Sequence, residues 1–101
     1  MGEITNAKVL AILKRLNPDA RRDDLVQYAD VFVIYAEAAA NIAKHGAIVA
    51  HPRTGNPIDN PYLKIQAAAM KQLKTLRRVS EHEELWRLLE TSRDRAATED
   101  S

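Results

Sequence analysis

The side chains able to do chemistry in this chain are three histidines, fourteen acids and fifteen lysines and arginines, with no cysteine. His45, His51 and His82 stand far apart, and none has a second ligand at metal-binding spacing. His45 falls near a helix end, His51 in a loop and His82 in a first helical turn. The acidic pairs Asp23-Asp24 and Glu83-Glu84 are adjacent in sequence, and adjacent residues on a helix do not face each other. They suit the positive end of a helix dipole better than a coupled acid and base. The glycines are dispersed and no Gly-Lys-Ser/Thr occurs, which removes a phosphate-cradling loop. No catalytic residue, metal ligand or cofactor is expected, and the chain does not read as an enzyme.

The basic residues are the chemistry that remains. The net charge is only +1, but it is unevenly placed. Residues 59–78 carry Lys64, Lys71, Lys74, Arg77 and Arg78 against Asp59 alone. Cations without acidic partners one turn away are what phosphate contact requires. The alternative is a solvated face, or one paired with the acidic stretch that follows, where residues 79–101 hold seven acids against three arginines. A second cluster, Lys14, Arg15, Arg21 and Arg22, flanks Asn17-Pro18-Asp19. A helix-turn-helix reader is not expected there, because the helix after the turn opens with Asp23 and Asp24, which repel phosphates. Phosphate contact by the turn itself stays open.

These residues must be positioned by helices. Val9, Ile12, Leu13 and Leu16 form one stripe of a helix over Thr5 to Leu16, with Thr5 or Asn6 as its cap. Pro18 ends it. A long helix follows from about Ala20 to His45, with acids at its start, Lys44 and His45 at its end and Gly46 just beyond. Leu25, Tyr28, Ala29, Phe32, Tyr35, Ala36, Ala39 and Ala43 trace one seam, and Val26, Val33, Ala40 and Ile42 a second. Around VFVIYAEAAA the helix is apolar on most of its circumference, more than one small partner helix covers. Self-association is the simplest remedy, with Val26, Phe32, Val33, Ile34 and Ala40 as candidate contacts.

Gly46 to Pro61 interrupts the helices and holds two of the three glycines and three of the four prolines. Ile48-Val49-Ala50 has strand character and Arg53-Thr54-Gly55-Asn56 turn chemistry, with Ile58 on the return arm, so a short β-hairpin is expected. His51 and Arg53 at its tip are candidate surface contacts. Asn60-Pro61 then opens a helix, cap first and proline at its first position, running to about Arg78. Leu63, Ala67, Met70, Leu73 and Leu76 make its apolar side, and the alanine runs 38–40 and 67–69 mark its crossing with the long helix. Ser80-Glu81-His82-Glu83 fits a capping box for a last helix to about Arg95, with Leu85, Trp86, Leu88 and Leu89 inward. One helical domain over 1–95 and a disordered acidic tail over 96–101 are expected. No apolar run is long enough to span a membrane, and no signal peptide or cysteine points to export, so a soluble, cytoplasmic protein is expected.

Asp24-Leu25, Tyr28 and Tyr35 on a long helix ending at Gly46, then Gly55-Asn56-Pro57, Asn60-Pro61 and a helix with Ala67 to Ala69 and Leu73, make an ordered set. That set resembles the small subunit of phage terminases and covers roughly residues 23–78. The resemblance implies an all-α fold: a long antiparallel helical hairpin with a β-hairpin or loop at its tip, flanked by shorter N- and C-terminal helices. It further implies a ring-forming homo-oligomer that engages double-stranded DNA and recruits a large terminase subunit carrying the ATPase and nuclease. In such proteins the C-terminal segment contacts the large subunit, which here points to Glu81 to Ser101, with Leu85, Trp86 and Leu89. Only Met1 to Leu16 precedes the first break, and Arg77-Arg78-Val79-Ser80 stands where the family tends to have a Leu-Gly-Leu-type turn and a proline. Both departures favour weak sequence specificity. A second reading from the residues, a small dimeric regulator or antitoxin-like interaction module, accounts for the amphipathic helices and acidic tail but leaves the wide apolar surface of the long helix without a reason.

Overall fold

The computed structural model describes residues 4–76 and 85–90. Its elements run α1 (Asn6–Leu16), α2 (Arg22–His45), β1 (Ile48–Ala50), β2 (Pro57–Asp59) and α3 (Tyr62–Thr75). Residues 85–90 form a further helical segment, α4. The described chain is therefore mostly helical with one small antiparallel sheet, and α2 and α3 are the arms of the expected hairpin.

The Thr5 hydroxyl accepts the Lys8 amide at 3.2 Å, closing the first turn of α1. Asn17 ends the helix with its backbone N–H and side-chain amide both on the Leu13 carbonyl. The Ala20 amide then bonds back to the Asn17 carbonyl at 3.1 Å. That turn delays α2 to Arg22, two residues later than the sequence pattern suggests. Asp23 and Asp24 sit in the first turn of α2 and Lys44 and His45 in its last, each favouring the adjacent dipole end. Gly46 stops the helix at φ 86° and ψ 174°, a backbone region open essentially to glycine alone.

The core forms where α1, α3 and α4 lie against α2. Val9 and Leu13 come from α1, Ala69 and Leu73 from α3, and Leu85 and Leu89 from α4, all around Leu25, Tyr28, Phe32, Ala36 and Ala39. Tyr28 stacks on Phe32 at 6.4 Å, and Trp86 meets Phe32 edge-on at 5.5 Å and Tyr35 at 6.0 Å. Such ring pairs add about 0.5–1.5 kcal/mol each beyond the area they bury. Asn6 of α1 donates a hydrogen bond to Asp30 of α2 and ties the outer edge of that pair.

Three expectations need correction. The long helix does not depend on a partner to cover Phe32 and Val33: Phe32 is 0 % exposed and Val33 is buried within the chain's own helices, while Val26, Ala40 and Ile42 are half-buried. Ala67 is exposed and Ala69 buried, so the inner face of α3 centres on the Ala69–Leu73 pair, one turn apart, with Leu63, Met70 and Leu76 on its flanks. Ala38 and Ala39 are buried against that packing, whereas Ala68 is exposed. Finally, α3 ends at Thr75 and not near Arg78, since Leu76 leaves helical geometry at ψ 65°. Arg77, Arg78, the Ser80–Glu83 capping box, His82 and the acidic tail lie outside the described residues.

Candidate nucleic-acid interface

The face of α3 opposite Ala69 and Leu73 carries Lys64, Lys71 and Lys74, all exposed, with the exposed small residues Ala67 and Ala68 between the first two. The spacing explains the placement. Lys64 and Lys71 are two turns apart and point the same way, and Lys74 follows three residues on along the same side. At 1.5 Å per residue the row is about 15 Å long. No acid occurs anywhere in Tyr62–Thr75, and none of the three lysines bonds to a described residue. Ala67 and Ala68 leave the stretch between Lys64 and Lys71 low on that side, while Ile65 and Gln72 are exposed beside it.

The helix is aimed by Asn60, which is 2 % exposed. Its side-chain amide nitrogen donates to Asn41 Oδ1 at 3.0 Å and to the Gly46 carbonyl at 2.9 Å, while its Oδ1 accepts the Tyr62 amide at 3.0 Å. Its backbone N–H reaches the Ala47 carbonyl at 2.7 Å, and its carbonyl accepts from Leu63. One buried residue thus joins the end of α2, the root of the ribbon and the start of α3. Sequence reasoning finds the cap but not the cross-links to α2, because those depend on where the hairpin returns. Pro61 already has helical dihedrals and needs no donor there.

The ribbon pairs Ile48 with Asp59, Val49 with Ile58 and Ala50 with Pro57. No residue from Gly46 to Asp59 is buried, so hydrogen bonds alone order its tip. The His51 amide donates to the Asn56 carbonyl at 2.8 Å, and the Gly55 amide to the His51 carbonyl at 2.9 Å. His51 Nδ1 accepts the Arg53 and Thr54 amides at 3.1 and 3.4 Å. That use of the imidazole has no spacing signature in the sequence.

The second basic cluster sits at the far end of α2. Lys14, Arg15, Arg21 and Arg22 are exposed around the α1–α2 turn, and Arg15 already has a bonded partner. Lys14 and Arg22 flank an apolar groove of about 360 Å³ floored by Leu10 and Leu25. Asp19 and Asp23 are exposed close by in sequence, so the field there is mixed, unlike that of α3. The structure therefore keeps the two basic clusters on separate elements. The contacts expected for self-association divide: Phe32 and Val33 are core, Val26 and Ala40 are half-buried, and Ile34 is 47 % exposed. Those expected for a large subunit divide too. Leu85 and Leu89, at 0 % and 4 % exposed, are held in the core, and Trp86 keeps a partly open edge.

Among the described residues no group of three or more histidines and acids could hold a metal ion, and no helix is long and apolar enough to cross a membrane. No curated protein and no solved structure matches the chain. A family model described as phage terminase, small subunit, matches residues 7–78, taking in α1, α2, the ribbon and all of α3. With the hairpin, the Asn60 junction and the lysine face of α3 falling inside that match, the chain belongs to the phage terminase small-subunit family and has a part in phage packaging.

Proposed function

We propose that the protein is a non-catalytic packaging adaptor that binds double-stranded DNA with weak sequence specificity and recruits a large terminase subunit. The observation that carries the DNA reading is the outer face of α3: three exposed lysines and no acid over the whole helix. Arg77 and Arg78 follow directly in sequence, outside the described residues. Lys14, Arg15, Arg21 and Arg22 act as a secondary phosphate contact, weakened by the acids around them. Binding of this kind releases counterions and weakens steeply with salt. Contacts of this kind go to phosphates, which fix position and carry no sequence information.

The adaptor works as a homo-oligomeric ring in the host cytoplasm, with the exposed Ile34 and the half-buried Val26 and Ala40 as its contacts on α2. The large subunit meets the outer side of α4, at Trp86, together with the acidic residues that follow. In a gel-shift titration on duplex DNA, the Lys71→Glu, Lys74→Glu double variant is expected to lower affinity at least tenfold near physiological salt and to flatten the salt dependence. Unchanged binding would return the lysine face to plain solvation.

A further inference from the structure

We infer that the β1–β2 ribbon is a second DNA contact, with the Arg53 guanidinium on a backbone phosphate at the far end of the α3 lysine row. This rests on the proposed DNA reading and extends it to an element which that reading does not require.

The ribbon stands off the helical body: its strands pair with each other, and nothing between Gly46 and Asp59 is buried. A projecting loop without a core ordinarily frays. This one is pinned at its root by Asn60 and at its tip by His51, whose ring nitrogen accepts the backbone N–H of Arg53 itself. Gly55, at φ 74°, closes the turn. The pinning holds the Arg53 backbone while its side chain is exposed and bonds to no described residue. An arginine presented on an ordered tip loses less freedom on binding than one on a loose loop.

The surroundings select a polyanion. From Ile42 to Gln66 the cations Lys44, Arg53 and Lys64 face one acid, Asp59. Lys44 lies in the last turn of α2 and Lys64 in the first turn of α3, the two helix ends joined by the ribbon, so cations stand at its root as well as at its tip. A two-stranded ribbon is also narrow enough for the roughly 12 Å major groove. An acidic protein surface would need matched acids along this whole row, whereas duplex DNA supplies evenly repeated charge.

The test is a salt titration of binding to a mixed-sequence duplex between about 50 and 200 mM salt. Arg53→Ala should weaken binding severalfold and reduce the slope of log K on log salt by at least about 0.9, the value for one lost phosphate contact. Arg53→Lys should restore most of the slope. His51→Ala keeps every cation and loosens the tip, so it should lower affinity with the slope unchanged. If Arg53→Ala leaves affinity and slope as they were while Lys71→Glu, Lys74→Glu weakens binding, the ribbon inference is wrong and the α3 reading stands. If neither variant matters, both are wrong. If Arg53→Ala leaves the slope intact but abolishes capture of the purified large subunit, the tip is a protein contact and the inference is overturned.

Discussion

Asn60 shows how much a single amide can decide. Its side chain both donates and accepts, and it does so to three different segments while nearly sealed from water. Asn60→Ala strands the Gly46 carbonyl, Asn41 Oδ1 and the Tyr62 amide, and leaving a buried polar group unpaired costs about 1–3 kcal/mol. Asn60→Asp is expected to be worse at neutral pH, since a carboxylate oxygen would face the two acceptors that the amide now satisfies. Urea unfolding monitored by circular dichroism should rank wild type above Ala above Asp; Asp equal to wild type would refute the double donation. Gly46 is the companion case. Its φ of 86° and ψ of 174° exclude other residues on backbone grounds, because an added Cβ meets nothing closer than the Ile48 carbonyl at 3.9 Å. Gly46→Ala should cost about 1–3 kcal/mol through backbone strain alone.

At the scale of elements, α2 is the organiser and its two faces behave differently. Phe32 touches Tyr28 and Trp86 and is closed off from solvent, so Phe32→Ala should cost about 3–5 kcal/mol. A domain of this size is stable by about 5–15 kcal/mol, so thermal unfolding should shift by many degrees. Ile34, two residues along, points the other way. Ile34 is 47 % exposed in the single chain, so Ile34→Glu should leave the circular dichroism of the folded subunit as in wild type. The α3 helix shows the same division across one cylinder: alanine and leucine inward, lysines outward. Its register, with Ala69 inside and Ala67 outside, is set by the Asn60 junction, because a helix begun one residue later would rotate its lysines by about 100° toward the core.

For the molecule as a whole, the apolar excess of α2 is mostly consumed internally, and this changes the argument for assembly. The case for a ring no longer rests on uncovered core; on α2 it is left with Ile34, 47 % exposed, which has the exposed Asp30 and Glu37 one turn to either side. Light scattering after gel filtration should give a discrete high oligomer for wild type, and Ile34→Glu should reduce it to smaller species with native circular dichroism. A wild-type monomer or dimer would refute the ring. A Phe32→Ala protein that stays folded but dissociates would return Phe32 to an interface role.

Periodicity, caps and turn residues are local properties, and they were enough to determine four helical segments, the Ile48–Ile58 hairpin, the Gly46 stop and the Asn60-Pro61 start. The ordered set from Asp24 to Leu73 was likewise readable as the mark of a terminase small subunit, because it is a pattern of spacing along the chain. Tertiary structure decided that the chain's own α1, α3 and α4 close over Leu25, Tyr28, Phe32, Ala36 and Ala39, while of the second seam only Val33 is buried and Val26, Ala40 and Ile42 stay half-buried. It also moved Ala67 outward and turned Asn60 and His51 from a cap and a loop residue into cross-links. The physical reason is common to all of these: burial and long-range hydrogen bonding depend on how elements far apart in sequence return to one another, and hydrophobic pattern alone says that a face is covered without saying by what.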